Sequence, residues 1–320
     1  MGICTDKILN MKKYAITFPG QGSQSVGMFN QFNNNDFIQK IFKEASDVLS
    51  VDLWRMVNNE NESINHTVNT QPIMLCAGYA TEQILKDEGI DNPSFYAGHS
   101  LGEITALVCS NVISFEDGLK IVKKRAELMQ SAVPEGVGAM AAILGLDDET
   151  VKTICIENSG DLIIEAVNFN SPGQVVVAGH KALIEQLIDK FKQAGAKRAL
   201  ILPVSVPSHC ALMKDAANDF ENFLNQFNFN SSLIPVVHNV DAASNSRTEG
   251  IKKAIVKQLY SPVQWTKTID YLSDEGVDCF IEAGPGKVLM GLNRRINKEA
   301  MHFSIDSMDA IQSLKNDYLT

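Results

Sequence analysis

The chain has 320 residues, 45% of them hydrophobic and 21% charged, with a formal net charge of -10. That length supports a sizeable core in one large domain or one domain with a smaller insert, and the acidic balance without any basic run excludes an ordinary nucleic-acid binder. No apolar run approaches a membrane span, no signal-peptide core opens the chain, and six scattered cysteines without a C-x-x-C pair suit a reducing, cytoplasmic setting.

Met1-Gly2 resembles a myristoylation start, but Asp6 stands where Ser or Thr is needed. Residues 1–10 read as an extension ahead of the first strand. No metal-ligand spacing occurs among the histidines, cysteines and carboxylates.

In chain order, a strand over 14–18 runs into the glycine-rich turn Pro19-Gly20-Gln21-Gly22-Ser23-Gln24. Helical patterns follow over 36–49 and 71–88, with polar loops at 33–35 and 58–63. A short strand over 94–97 then meets Gly98-His99-Ser100-Leu101-Gly102 and an apolar helix over 103–109. A strand, a glycine-flanked serine and a helix describe a nucleophile elbow. Large neighbours would clash on so tight a turn. The turn sets the Leu101 N–H and the positive end of the new helix beside any oxyanion formed at Ser100.

Ser114 to Asp117 fits a capping box opening a helix to about 131. Phe115, Leu119, Val122, Ala126 and Met129 form its buried stripe. Alternating strands and helices predict an α/β fold with a parallel sheet. Past Pro134-Glu135-Gly136 the order becomes strand 139–144, helix 148–157, strand 162–168, strand 174–178, helix 182–194 and strand 197–203. That βαββαβ order predicts a ferredoxin-like subdomain over 135–203, inserted into a large domain made of 11–134 and 204–310. The large domain resumes with a helix near 213–227, a strand at 234–238, a helix at 248–259 and a strand at 279–282.

A serine needs a base to become a nucleophile. Of six histidines, His99 is adjacent to Ser100, but on an elbow its side chain points away. His66, His180, His238 and His302 lie in segments without glycine- or proline-fixed geometry. His209 follows Val206-Pro207-Ser208, where Pro207 fixes the backbone just before a helix, and is the best-placed base. Asp241, Asp278 or a backbone carbonyl are conceivable orienting partners for it.

Arg125 sits on the edge of a buried stripe. Its stem could cover apolar surface with the head in water, or its guanidinium could enter a pocket and hold a carboxylate. Gln21 lies in a turn that lacks the Gly-Lys-Ser/Thr ending of a P-loop. The alternative is an oxyanion donor at the carboxyl end of the first strand.

Seven runs together resemble the malonyl-CoA:acyl-carrier-protein transacylases: FPGQGSQ at 18–24, GHSLGE at 98–103, KRAELMQ at 124–130, NFNSPGQVVVAG at 168–179, VSVPSH at 204–209, YSPVQW at 260–265 and EAGPGKVLMGL at 282–292. The resemblance spans 14 to about 296. It implies a hydrolase-like parallel-sheet domain with a ferredoxin-like insert, Ser100 as the acylated nucleophile and His209 as its base. It also implies an oxyanion hole of Gln21 and Leu101, Arg125 and Met129 against the malonyl group, and a main-chain carbonyl near Gln264 holding the base.

The implied reaction is ping-pong transfer from malonyl-CoA to the phosphopantetheine thiol of acyl carrier protein, by a monomer needing no cofactor, nucleic acid or membrane. Lys197, Arg198, Lys287, Arg294 and Arg295 are expected to meet the acidic carrier. An esterase or thioesterase would share the elbow, but with Ser…Asp…His order and an HGGG-type loop, neither of which is visible. A silent acyl-binding subunit would have lost Ser100, His209 or Arg125. Ser208, beside the base, leaves malonyl against methylmalonyl selectivity open, with malonyl the better expectation.

Overall fold

Short apolar runs bounded by glycine, proline and polar turns give nine strands among the described residues: β1 (Tyr14–Phe18), β2 (Phe95–Gly98), β3 (Gly138–Leu144), β4 (Ile164–Ser171), β5 (Gln174–His180), β6 (Arg198–Ile201), β7 (Val236–Val237), β8 (Cys279–Ala283) and β9 (Met301–Ile305). The computed structural model describes residues 12–32, 36–59, 62–204 and 206–319. The extension at 1–10 and the loop at 33–35 lie outside the described residues, as does part of the 58–63 loop.

The first sheet has the order β7-β2-β1-β8-β9 and is parallel throughout. Its strands other than the edge strand β9, whose first residues are partly exposed, are buried on both faces, as parallel sheets require. Ile16, Phe18, Tyr96 and Ile281 point into the larger core, against the helices Thr67–Asp87, Leu101–Cys109 and Phe115–Ser131. Ala15, Ala97 and Phe280 point the other way, onto Trp265, Ile269 and Leu289 of the helices Trp265–Asp274 and Val288–Ile296.

The second sheet, order β4-β5-β3-β6, is antiparallel, and the helices Asp148–Asn158 and Lys181–Gln193 complete the ferredoxin-like βαββαβ unit. It has its own apolar core around Ile143, Val175, Ile184 and Phe191. One edge is stitched to the larger unit: Phe169 N–H donates to Val263 O at 3.0 Å, and Val263 N–H donates to Val167 O at 2.8 Å. The opposite edge, β6, exposes Leu200 and Ile201.

Several boundaries differ from the sequence expectation. The helix expected from residue 71 begins at Thr67, with Pro72 inside it; the proline costs a hydrogen bond that burial of most of the helix outweighs. The strand expected over 234–238 pairs only through Val236 and Val237, since Pro235 has no N–H to offer. The helix expected near 213–227 is a 3-10 turn, Ala211–Met213, followed by the helix Lys214–Leu224. β9 and the helices Leu53–Asn58, Trp265–Asp274, Val288–Ile296 and Met308–Leu314 were not anticipated. No helix among the described residues is long and apolar enough to cross a membrane.

Candidate active site

Parallel pairing of β1 with β2 sets Phe18 beside Gly98, so the chain leaves both strands at the same end of the sheet. β2 stops at Gly98, and Ser100 adopts φ 52°, ψ -112° at the N-cap of the helix Leu101–Cys109. A non-glycine residue at positive φ is strained and persists only where its surroundings fix it. The surroundings here leave no room. A Cβ on Gly102 would lie 2.2 Å from Phe18 O, and one on Gly98 would lie 2.0 Å from Gly102 C and O. The strand-to-helix turn therefore requires both glycines.

Ser100 Oγ lies 2.9 Å from His209 Nε2. His209 has φ 67°, and its N–H is tied to Leu259 O at 2.9 Å. Its Nδ1 lies 2.6 Å from the main-chain oxygen of Gln258. With Nδ1–H donating to that carbonyl, Nε2 carries the lone pair that accepts the serine proton. Burial, then the neighbouring Arg125 cation, hold the imidazole down at about 3, so the resting base is neutral.

The carbonyl that holds the base is that of Gln258, which corrects the expectation of Gln264. Gln258 ends the helix Thr248–Gln258, where the last-turn carbonyls have no intrahelical partner. Gln264 precedes the next helix and its oxygen is taken by the N–H of Thr268 at 2.9 Å. Asp241 and Asp278 make no hydrogen bond to His209; Asp278 accepts from Tyr318 instead.

Arg125 is 1% exposed, and its guanidinium enters the site rather than water. Nη1 donates to Gln71 Oε1 at 2.8 Å, and Nη2 donates to Gln258 Oε1 at 2.7 Å and to Ser100 Oγ at 3.2 Å. A guanidinium has five N–H donors. Nε has no partner among the described residues, so donor capacity remains for a ligand. Burial lowers Arg125 to about 10 while the Glu103 carboxylate opposes the shift, and the group stays cationic at neutral pH.

Gln21, Ser100, Leu101, Arg125, Met129 and His209 line one cavity of about 140 Å³. Leu101 is the first helical residue, so its N–H has no intrahelical partner. Gln21 stands at the mouth, its side chain accepting from Thr67 Oγ1 at 3.2 Å. Met129 Sδ lies 3.9 Å from Gln71 Nε2 on the inner wall. A groove of about 930 Å³ between the two units shares Gln21, Thr67, Leu202 and Val204 with the cavity and leads outward.

His99 turns away from Ser100, to Asn170 Oδ1 at 2.8 Å and against the Trp265 ring. His238 lies beneath the elbow with Nδ1 2.7 Å from Glu103 Oε1. Gln71, Glu103, His238, Asn239 and Gln258 carry the site's polar framework, and sequence reasoning assigned none of them a role. For Glu103 a signal existed: it is the one charged side chain in an otherwise apolar helix.

A model of the acyl transferase domain matches residues 16–313. The malonyl CoA-acyl carrier protein transacylase of Escherichia coli strain K12 is 49% identical over 288 residues, 89% of this chain and 93% of the relative. That of Staphylococcus aureus strain COL is 48% identical over 305 residues, 94% of this chain and 98% of the relative. Among solved structures, an acyl carrier protein S-malonyltransferase from Vibrio cholerae superimposes with a TM-score of 0.92 at 46% identity, covering 95% of this chain and 100% of that one. A malonyl-transacylase in complex with a type II PKS acyl-carrier protein gives 0.93 at 44% identity, covering 96% and 100%. This chain is an acyltransferase that belongs to the acyl transferase domain family, among the malonyl CoA-acyl carrier protein transacylases.

Proposed function

We propose that this chain moves a malonyl group from malonyl-CoA to the phosphopantetheine thiol of acyl carrier protein through an ester on Ser100. One observation carries the reading: Ser100 Oγ lies 2.9 Å from a neutral imidazole and 3.2 Å from a buried guanidinium, in a cavity of about 140 Å³. A nucleophile and a carboxylate receptor that close together select a short acyl chain ending in a carboxylate.

His209 Nε2 takes the Ser100 proton as Oγ attacks the thioester carbon. The Leu101 N–H, the helix N-terminus and Gln21 receive the oxyanion. The C–S bond breaks, His209 returns its proton to the CoA sulfur, and the malonyl ester remains on Ser100. The carrier thiol then gives its proton to His209 and attacks the ester, and Ser100 leaves with that proton. Arg125 holds the free carboxylate through both steps, so the acyl chain stays oriented in a narrow cavity that admits little water. Neither half-reaction requires a metal or redox cofactor.

Arg198 opens the exposed edge strand β6 and Lys197 stands just before it, at the end of the strand away from the groove residues Ile201 to Val204; this basic pair suits an acidic carrier. We place the reaction in the cytoplasm and on a monomer, which the net charge of -10 helps keep apart from its copies. Single-turnover assays test the reading: rapid CoA release from malonyl-CoA without a carrier, then malonyl transfer when the carrier is added. Acylation followed by hydrolysis alone would make the chain a thioesterase.

A further inference from the structure

Beneath the elbow lies a buried carboxylate that no step of the transfer uses. Glu103, third residue of the helix Leu101–Cys109, is fully buried. Its Oε1 pairs with His238 Nδ1 at 2.7 Å. Its Oε2 accepts from Asn239 N–H at 3.0 Å and from Gln258 Nε2 at 2.7 Å. An ionised carboxylate only accepts hydrogen bonds, so every bond in this cluster must run toward it.

That direction propagates upward. Gln258, with its NH₂ turned to Glu103 and to Ser100 O at 2.9 Å, presents its side-chain oxygen to Arg125 Nη2 at 2.7 Å. Asn239, whose N–H ends on Glu103, accepts from Ser100 N–H at 2.8 Å and donates to Gly98 O at 2.7 Å. Turning the Gln258 amide over would set an NH₂ against the guanidinium and an oxygen against the carboxylate. Both contacts would be repulsive in a site this dry.

We propose that Glu103 is the positioning residue of this site: its carboxylate fixes the donor–acceptor direction of the Gln258 amide and anchors the Asn239 main chain, and through them aims Arg125 and seats the Ser100 elbow. The proposal rests on the malonyl-transfer reading. It distinguishes Glu103 from an ordinary buried acid, because the effect of removing it must pass through Gln258 and fall on recognition of the carboxylate.

The experiment compares kcat/KM for malonyl-CoA and acetyl-CoA in wild type, Glu103→Gln, Glu103→Leu, Gln258→Met and the double variant Glu103→Leu/Gln258→Met. Glu103→Gln keeps an acceptor oxygen for Gln258 and Asn239, with the His238 proton moving to the now unpartnered Nε2, so malonyl preference stays near wild type. Glu103→Leu and Gln258→Met each lower the malonyl-to-acetyl ratio about tenfold, and the double variant lowers it no further than either one.

Equal loss on both donors in Glu103→Leu, or additive losses in the double variant, would assign Glu103 a purely structural role and overturn the proposal. If Glu103→Leu does not fold, Gln258→Met decides: a wild-type ratio there overturns it. A wild type that forms no ester from malonyl-CoA defeats the reading beneath, whereas an active wild type with an unmoved ratio in the variants defeats only the role of Glu103.

Discussion

Gln258 holds His209 by its main-chain oxygen at 2.6 Å and, through its side chain, the catalytic cavity's one arginine. The base is thus oriented by a neutral partner. A carbonyl fixes the tautomer and the ring plane, but it adds no negative charge to steady the imidazolium that forms in each half-reaction. The base and the carboxylate receptor also share one support, so neither can shift without the other.

This arrangement predicts an unusual pH dependence. Burial and Arg125 lower His209 from 6.5 to about 3, so its neutral, active form persists as pH falls and is lost only through that low value. Acylation measured as kcat/KM for malonyl-CoA is expected to show no His209 limb between neutrality and about pH 5. Arg125→Ala removes a neighbouring cation and moves the limb upward, measurable with acetyl-CoA. In the malonyl complex the substrate carboxylate offsets Arg125, so the limb in kcat lies above that in kcat/KM. A kcat/KM limb near 6.5 in wild type would mean an imidazole solvated like a free one.

Arg125→Lys keeps a cation but not the fork. One ammonium would have to serve Gln71 Oε1, Gln258 Oε1 and the malonyl carboxylate together. We expect kcat/KM for malonyl-CoA to fall by about ten- to a hundredfold while that for acetyl-CoA changes little. Steady-state kinetics with both donors measures the difference.

Gly102→Ala forces a Cβ to within 2.2 Å of Phe18 O, where backbone meets backbone and no side chain can yield. The expected cost is about 3 kcal/mol, typical of severe overpacking. Urea unfolding followed by circular dichroism would register it as a lowered midpoint, with Gly291→Ala, also helical and with nothing near its Cβ, as the control without a clash.

Lys197→Glu/Arg198→Glu reverses the charge at the start of the exposed edge strand β6. The KM for the carrier is expected to rise by several-fold with CoA-dependent acylation unchanged, more so at low salt. Unchanged transfer kinetics would remove this edge from the docking surface.

Much of this was legible in the sequence. The elbow declared itself because strain at Ser100 demands glycine on both sides, and the insert because six alternating segments fit one known order. The stripe in 115–131 gave the helix that carries Arg125, but its burial depended on Gln71 and Gln258, 54 and 133 residues away in sequence. Gln258 itself left no local trace, since a helix end makes any residue's carbonyl available. The helices Trp265–Asp274 and Val288–Ile296 have no place in the sequence reading, although Trp265, Ile269 and Leu272 repeat at helical spacing. His238 looked unremarkable for the same reason as Gln258: only Glu103, 135 positions earlier, gives it a purpose.

An ester on Ser100, selected by Arg125, is read by intact-mass spectrometry after brief incubation with malonyl-CoA or acetyl-CoA. Wild type is expected to carry a malonyl adduct, Ser100→Ala none, and Arg125→Ala a weakened malonyl adduct or one traded for acetyl. CoA release without a lasting adduct, or a malonyl adduct that survives Ser100→Ala, would contradict it.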